Sequence, residues 1–463
     1  MIDLLTQVVT TLNDHCLGYI LMASLIFSGV YFTFAGRFVQ FTRPSIMLRL
    51  ITGGTKKKGH ISSFQAFSIS TASRVGTGNI AGVAIAITTG GPGAIFWMWL
   101  IAVFGAASSF IESTLAQIYK VPSAGHFRGG PAYYIQNALG AKKLGTTFAV
   151  IFMITFAFIF NSVQANTIAQ AFQNTFHISN LMTGLVLATI TGIIIFGGLH
   201  RVAKFSAIIV PTFALGYIAL TILIMILNWE KLPHVVALIF QDAFSPRKIA
   251  GGALGATIMT GARRGLFSNE AGMGSAPNAA ATANISHPVK QGFVQAFGVF
   301  VDTLLICSCT AFIVLLSDYT STTAQGIALT QFALTSEIGS AGNYFLVASI
   351  LLFAFTSIIG NYYYGQANFE FLTQNKKWML WFRAGVCGMI VLGSIAQLNL
   401  VWNLADLFMT SLALINLYAM FRLRKQALAV LDDYRKQKKA GKDPQFNPAD
   451  VPCVGETQAW RIH

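Results

Sequence analysis

The stretch RVGTGNIAGVA, from Arg74 to Ala84, indicates how this chain folds. It lies in a segment that is otherwise apolar enough to cross a bilayer, yet it contains an arginine, an asparagine and glycines. A full charge at mid-membrane is unfavourable unless it has a function, and glycine weakens a helix. We therefore expect a membrane helix that is interrupted at this point.

The composition is that of a polytopic membrane protein. Of the 463 residues, 54% are hydrophobic and 10% are charged, and the mean hydropathy is +0.61. A soluble domain would not keep so much apolar surface away from water. The fold class that follows is an all-α bundle of transmembrane helices.

The formal net charge is +15, but the lysines and arginines form short clusters between apolar runs. This distribution favours topology signals over a nucleic-acid-binding surface. GxSxG, HExxH and CxxC motifs are absent from the sequence. We therefore expect no enzyme, no organic cofactor and no nucleic-acid partner.

Segments of about 20 apolar residues predict about eleven spans. The first is interpreted as a retained helix, because acidic residues precede it instead of a basic signal-peptide region. The predicted spans are 16–36, 62–90, 93–121, 144–172, 181–199, 203–228, 248–286, 288–316, 341–370, 378–397 and 400–421.

The positive-inside rule orients these spans. Basic residues follow alternate spans, beginning after the first span with Arg37, Arg43, Arg49 and Lys56 to Lys58. The loops 173–180 and 317–342, in contrast, contain no lysine or arginine. The N-terminus is thus predicted outside and the C-terminus in the cytoplasm. Lys231, Arg247 and Lys248 are exceptions on the outer side.

The second and seventh spans predict an inverted repeat. Each is interrupted by glycine and polar residues, follows a short amphipathic stretch and precedes four further spans. The predicted units are an extra helix in 1–36, repeats of five spans each in 37–228 and 229–421, and a basic tail in 422–463. Interrupted segments at matching positions of inverted halves point to a transporter's binding site. The alternatives are two unrelated kinks in a structural bundle and an ion channel.

A break at mid-membrane predicts its own ligands. Backbone groups freed by unwinding are costly in hydrocarbon, so a ligand has to satisfy them. The N–H groups of Thr77, Gly78 and Asn79 begin the outer half-helix, whose positive end favours a carboxylate. Carbonyls between Ala72 and Val75 favour a cation. An amino-acid zwitterion with Na⁺ fits both ends.

The motifs GTGNIAGVAIAITTGGPGAIFWMW, GGPAYYI, RGLFSNEAGMGSAP and QGFVQAFGVFVDT resemble those of the alanine or glycine:cation symporter family. The resemblance covers nearly the whole chain except the tail. It implies a LeuT-type fold, sodium-coupled uptake of small neutral amino acids such as alanine or glycine, and a bacterial inner membrane. Another amino acid, such as glutamine, is the alternative substrate.

The same resemblance implies a sodium site. In FAFTSIIGNYYYG, Thr356 and Ser357 stand where LeuT-type symporters use adjacent hydroxyls, together with carbonyls like those of Ala72, Val75 and Phe353. The alternative is that both hydroxyls only bond carbonyls of their own helix.

For the substrate, the resemblance implies Gln164, which alternatively has a helix-packing role. Phe267 and Met273 of the second interruption complete the candidate site. As we align the family, many members have tryptophan at Asn361 and glutamate at Gln366. If Asn361 faces the pocket, the pocket differs in shape from the alanine type.

Four ionisable residues are predicted inside spans, and such residues are usually paired and functional. Their estimated depths pair Arg74 with Asp302 first and with Glu112 second, and the charge of Arg74 favours a single sodium. The alternative role for Arg74 is a structural ion pair that locks the broken helix. The four residues are Arg74, Glu112, Glu270 and Asp302.

The tail from Arg422 to His463 is basic and then polar, with no transmembrane signal. Two alternatives are a contact with anionic lipid and disorder.

Overall fold

The computed structural model describes residues 2–13, 17–41, 44–52, 61–123, 126–196, 199–246, 248 and 253–460. The topology signals Arg43, Lys56 to Lys58 and Arg247 lie outside these residues. The elements are α1 (Ile2–Leu12), α2 (Gly18–Ala35), α3 (Pro44–Thr52), α4 (Ser63–Arg74), α5 (Gly78–Gly90), α6 (Gly93–Ile118), β1 (Val121–Ser123), β2 (His126–Arg128), α7 (Pro131–Leu139), α8 (Lys142–Phe176), α9 (Asn180–Ile195), α10 (Leu199–Leu227), α11 (Leu232–Ala243), α12 (Leu254–Asn269), α13 (Ala276–Ala280), α14 (Pro288–Leu316), α15 (Ile327–Ile338), α16 (Ser340–Leu372), α17 (Lys376–Ile395), α18 (Leu398–Arg422) and α19 (Arg424–Lys439).

Within the described residues, seven helices are long and apolar enough to cross a membrane. They are α2, α6, α8, α14, α16, α17 and α18. An eighth candidate is the pair Pro211–Leu227 and Trp229–Ala243, which is bent by 83°. The chain is therefore a largely helical, polytopic membrane protein.

The other predicted spans coincide with shorter or broken helices. Span 62–90 covers α4 and α5, span 181–199 covers α9, and span 248–286 covers α12 and α13. The amphipathic stretches that precede the two interrupted spans form α3 and α11. The total of eleven crossings and the inverted repeat stay predictions.

The first interruption separates α4 from α5. α4 begins with a capping box, in which Ser62 and Gln65 bond each other's backbone N–H. It ends at Arg74 because Val75 turns to an extended conformation with ψ of 96°. α5 then begins with the π-helical turn Gly78–Gly82. The predicted break is confirmed at this position.

The second interruption separates α12 from α13. Glu270 ends α12 in the left-handed region with φ of 57°, and Gly272 and Gly274 follow with φ of 85° and 91°. These backbone angles favour glycine, which explains the sequence GMG between the half-helices. This predicted break is confirmed as well, at Glu270 to Ser275.

An aromatic row positions the two breaks against each other. Along α8, the rings of Phe156 and Phe160 lie 4.8 Å apart between their centroids. Phe160 contacts Phe267 of α12 at 4.8 Å, and Phe267 contacts Trp402 of α18 at 4.6 Å. Such rings bury large areas in fixed geometry, so Phe267 is held next to the first break.

The tail is folded, and the alternative of disorder is wrong for its described residues. Along α19, Ala427, Val430, Leu431 and Tyr434 form a buried face. Beyond α19, the Phe446 N–H donates to the Ser286 carbonyl at 2.8 Å. The tail therefore packs against the loop between α13 and α14.

Candidate functional site

Five oxygen atoms converge where α4 ends, and we call them the oxygen cluster. Ser357 Oγ lies 2.9 Å from the Ala72 carbonyl oxygen, 3.2 Å from that of Val75 and 3.0 Å from that of Phe353. Thr356 Oγ1 donates to the Phe353 carbonyl at 2.8 Å. The structure thus brings together all five residues that the resemblance implies for sodium: Ala72, Val75, Phe353, Thr356 and Ser357.

Bonding within one helix explains only part of this arrangement. The hydroxyls of Thr356 and Ser357 both contact the Phe353 carbonyl of their own helix, as expected if they bond only carbonyls of α16. The Ala72 and Val75 carbonyls, however, belong to the broken helix and approach Ser357 from outside α16. A hydroxyl carries one proton, so it cannot fully satisfy three carbonyls. The oxygen cluster is richer in acceptors than in donors, which favours a cation.

The N–H groups of the first break are held by side-chain oxygens. The Thr77 N–H donates to Gln164 Oε1 at 3.0 Å, and the Gly76 N–H donates to Asn79 Oδ1 at 2.9 Å. Thr77 Oγ1 is buried, and no described residue forms a hydrogen bond with it. An acceptor oxygen therefore already occupies the place where the sequence predicts a carboxylate.

Phe267 forms a wall of the same region. A Cβ built on Gly78 would lie 3.0 Å from Phe267 Cδ1 and 3.1 Å from the Ser268 Cα atom. The first break and α12 therefore approach each other closely at Gly78, as only glycine allows without a shift. Met273 lies in the turn of the second break, where its N–H donates to the Glu270 carbonyl at 3.2 Å.

A second polar group links the two breaks through Ser73. Ser73 Oγ lies 2.7 Å from Asn361 Oδ1 and 3.0 Å from Glu270 Oε1. Glu270 Oε2 also accepts from Ser275 Oγ at 2.5 Å. Asn361 Nδ2 is buried and has no hydrogen-bond partner among the described residues. Asn361 thus presents an unused donor beside the break.

The direct ion pair predicted for Arg74 is not found among the described residues. Its Nη1 donates to the Gln295 carbonyl at 3.3 Å and its Nη2 to Ser109 Oγ at 3.2 Å, and it forms no ion pair within the described part of the chain. Neutral acceptors of neighbouring helices therefore hold the guanidinium at the end of α4, and the place of Arg74 in a charge network with Glu112, Glu270 and Asp302 stays a prediction.

The two carboxylates proposed for Arg74 have other partners. Asp302 accepts from Asn79 Nδ2 at 2.7 Å, from Ser268 Oγ at 2.7 Å and from Thr303 Oγ1 at 2.9 Å. Glu112 accepts from the N–H groups of Gly272 at 3.2 Å and Gly274 at 3.0 Å. Each carboxylate therefore stabilises polar groups at one of the breaks.

Arg264 of α12 and Asp406 of α18 form a buried ion pair that the sequence analysis did not predict. The two side chains are 5% and 6% exposed. The Arg264 guanidinium also lies 4.7 Å from the centre of the Trp402 ring. All three residues line a cavity of about 460 Å³. The sequence did contain an indication of this ion pair, because both charged residues fall inside predicted apolar spans.

Comparisons of the sequence with known proteins identify its family. Residues 2–448 match the profile of the sodium:alanine symporter family. The chain is 53% identical over 465 residues to the "Probable sodium/glutamine symporter GlnT" of Bacillus subtilis (strain 168), covering 100% of this chain and 97% of that protein.

Two further relatives have related descriptions. The "Amino-acid carrier protein AlsT" of Bacillus subtilis (strain 168) is 50% identical over 94% of both chains. The "Sodium/alanine symporter AgcS" of Methanococcus maripaludis is 36% identical over 90% of this chain and 94% of the relative. With a family match along nearly its full length and relatives this similar, the chain belongs to the sodium:alanine symporter family.

Proposed function

We propose that the chain is a sodium-coupled symporter that imports a small neutral amino acid across a bacterial inner membrane by alternating access. The observation that carries this proposal is the oxygen cluster, which forms where a broken helix frees its carbonyls. We also propose the LeuT-type arrangement, with inverted repeats in residues 37–228 and 229–421. The extra helix in 1–36 then starts outside, and the tail in 422–463 is cytoplasmic.

The oxygen cluster is the proposed sodium site. In transporters of this architecture, unwound carbonyls and half-helix C-terminal ends coordinate Na⁺. A cation among these oxygens would replace the weak hydrogen bonds of Ser357 with direct ligation to two helices. Since the ligands lie on both the first broken helix and α16, sodium binds best when these two helices are together. That differential affinity is what lets an ion shift a conformational equilibrium.

The first break is the proposed substrate site. A substrate carboxylate competes with Gln164 Oε1 for the Thr77 N–H and also reaches the N–H groups of Gly78 and Asn79, at the positive end of α5. Phe267 and Met273 of the second break supply apolar walls in this proposal. The amino-acid backbone is thereby recognised by main-chain groups, which do not distinguish between side chains.

Alanine or glycine is the first candidate substrate, and glutamine is the second. The Nδ2 of Asn361 has no partner in the part of the chain that the structure describes, and this favours glutamine, because a buried donor gains most from a carbonyl oxygen such as a side-chain amide provides. The relative described as a probable sodium/glutamine symporter supports this candidate. The variant Asn361→Ala distinguishes these two candidate substrates. If Asn361 recognises the side-chain amide of glutamine, the variant weakens glutamine uptake selectively.

Uptake into proteoliposomes tests the function. Purified protein is reconstituted, and uptake of labelled alanine, glycine and glutamine is compared under an inward sodium gradient and an equal potassium gradient. We expect saturable uptake only with sodium, whereas a channel would give a non-saturating flux. Ethylamine, which lacks the carboxylate, should not compete. Equal uptake in sodium and potassium would overturn the proposal.

A further inference from the structure

A cavity of about 810 Å³ lies between β1, β2 and the junction of α16 with α17. Arg128, Glu370, Lys376, Met379, Leu380 and Arg383 are among its lining residues, and we call it the basic cavity. None of the residues proposed for sodium or the substrate lines it. It is therefore separate from the transport site.

The basic cavity has an excess of positive charge. Arg128 and Glu370 form an ion pair at 2.5 Å and compensate each other. Lys376 and Arg383 line the same cavity and have no acidic partner within ion-pair distance among the residues that the structure describes. Two uncompensated cations around one concave surface attract an anion.

Arg383 is restrained in a way that leaves its outer nitrogens available. Its Nε donates to Tyr362 Oη at 2.9 Å, and its guanidinium lies 4.9 Å from the centre of the Phe196 ring. The two terminal nitrogens have no hydrogen-bond partner in the described part of the chain. A guanidinium fixed in this way is preorganised for two parallel bonds to the oxygens of a phosphate group.

Exposed apolar side chains mark the depth of the cavity in the membrane. Trp378 and Trp381 are 61% and 72% exposed, and both lie on the first turns of α17 beside the lining residues. Exposed tryptophan is enriched where the hydrocarbon meets the headgroups. Met379 and Leu380 add an apolar part to the cavity itself. An anionic ligand that binds in the cavity can therefore also place an apolar chain against these side chains.

We propose that the basic cavity binds the phosphate headgroup of an anionic phospholipid, with its acyl chains along the exposed face of α17. Basic pockets between membrane helices on the cytoplasmic side are known to take such headgroups, and the junction of α16 with α17 lies on that side in the proposed orientation. Arg383 and Lys376 contact the phosphate, while Arg128 stays paired with Glu370. The site goes beyond the proposed transport function and does not depend on which amino acid is carried.

Native mass spectrometry of delipidated protein in detergent tests this site. The protein is titrated with phosphatidylglycerol and, in parallel, with zwitterionic phosphatidylcholine. The variants are Lys376→Gln, Arg383→Gln and Arg383→Lys, and the matched control is Lys377→Gln, which removes a neighbouring charge that does not line the cavity. Gel filtration verifies that each variant is folded.

We expect the wild type and Lys377→Gln to bind one phosphatidylglycerol more tightly than phosphatidylcholine. Lys376→Gln and Arg383→Gln should each weaken that binding about fivefold, because one basic residue near an anionic lipid increases the affinity by about this factor. Arg383→Lys keeps the charge and should lose less. Equal binding of both lipids, or the same loss in Lys377→Gln, would overturn the proposal.

A soluble competitor separates the lipid from free phosphate. Glycerol phosphate carries the same anion without acyl chains. If it does not displace phosphatidylglycerol at equal concentration, the acyl contacts contribute and the lipid assignment holds. If it displaces the lipid fully, the cavity takes a soluble phosphate, and the lipid proposal is refuted.

Discussion

Arg264 and Asp406 form a buried ion pair that joins α12, the first half of the second broken helix, to α18. Trp402 lies one turn before Asp406, and its ring contacts both the Arg264 guanidinium and the Phe267 ring. The pair is thus connected through one aromatic side chain to the wall of the proposed substrate site.

We predict that this pair is strongly coupled. Arg264→Ala and Asp406→Ala should each lower the free energy of unfolding by about 3–5 kcal/mol, because removing one partner leaves the other charge buried and unpaired. The double variant should lose clearly less than the sum of both. Chemical unfolding of all four proteins in detergent measures the cycle, and strictly additive losses would contradict a direct interaction.

The proposed sodium site predicts a difference between two adjacent hydroxyls. Ser357→Ala should raise the sodium concentration for half-maximal uptake by about tenfold, which corresponds to roughly 1.4 kcal/mol of lost ligation. Thr356→Ala should have a smaller effect, since Thr356 Oγ1 contacts one carbonyl whereas Ser357 Oγ contacts three.

The control is Ser349→Ala, which removes another buried hydroxyl of α16, one turn before Phe353, that makes no hydrogen bond to the oxygen cluster or to any other described residue. Its sodium dependence should match the wild type. An unchanged sodium dependence in the Thr356→Ala/Ser357→Ala double variant would refute the site.

Glycine at position 78 should be required for substrate affinity. The Cβ of Gly78→Ala would press on Phe267 and on the Ser268 backbone. Overpacking of this kind costs about 1–3 kcal/mol, so KM for the amino acid should rise about fivefold or more. Gly82→Ala is the matched control, because its Cβ meets Trp402 at an ordinary 3.4 Å. Equal KM values for both variants would exclude this explanation.

Docking of the tail should weaken in acid. His287 Nε2 contacts Asp433 Oδ2 of α19 at 3.1 Å, near Lys290 and Asp443. Burial lowers the pKa of His287 from its usual 6.5, against the opposing effect of Asp433. The docked form therefore binds this proton less readily than the undocked form. Docking is favoured above pH 6.5 and weakens as the pH falls below it.

A fluorophore on the exposed Cys453 reports this transition through its anisotropy. We expect the tail to become more mobile between pH 7.5 and 5.5 in the wild type, and to respond much less in His287→Gln, which does not titrate. The same pH response in both proteins would assign the effect to another group.

The sequence alone was sufficient to locate both helix interruptions. Glycines and polar side chains within apolar segments are unfavourable in a continuous membrane helix, and this local effect does not depend on neighbours. The residues of the oxygen cluster were named from a family resemblance, whereas their convergence on Ser357 is visible only in the packed helices.

Only the tertiary structure decided which buried charges pair. Position along a span estimates the depth of a side chain, but its partner also depends on the rotation of each helix, which changes by about 100° per residue. Arg74 and Asp302 were matched in depth, yet they bond different neighbours. Arg264 and Asp406 meet instead, because the packing of α12 against α18, which also places Arg264 over the Trp402 ring, brings the two side chains together.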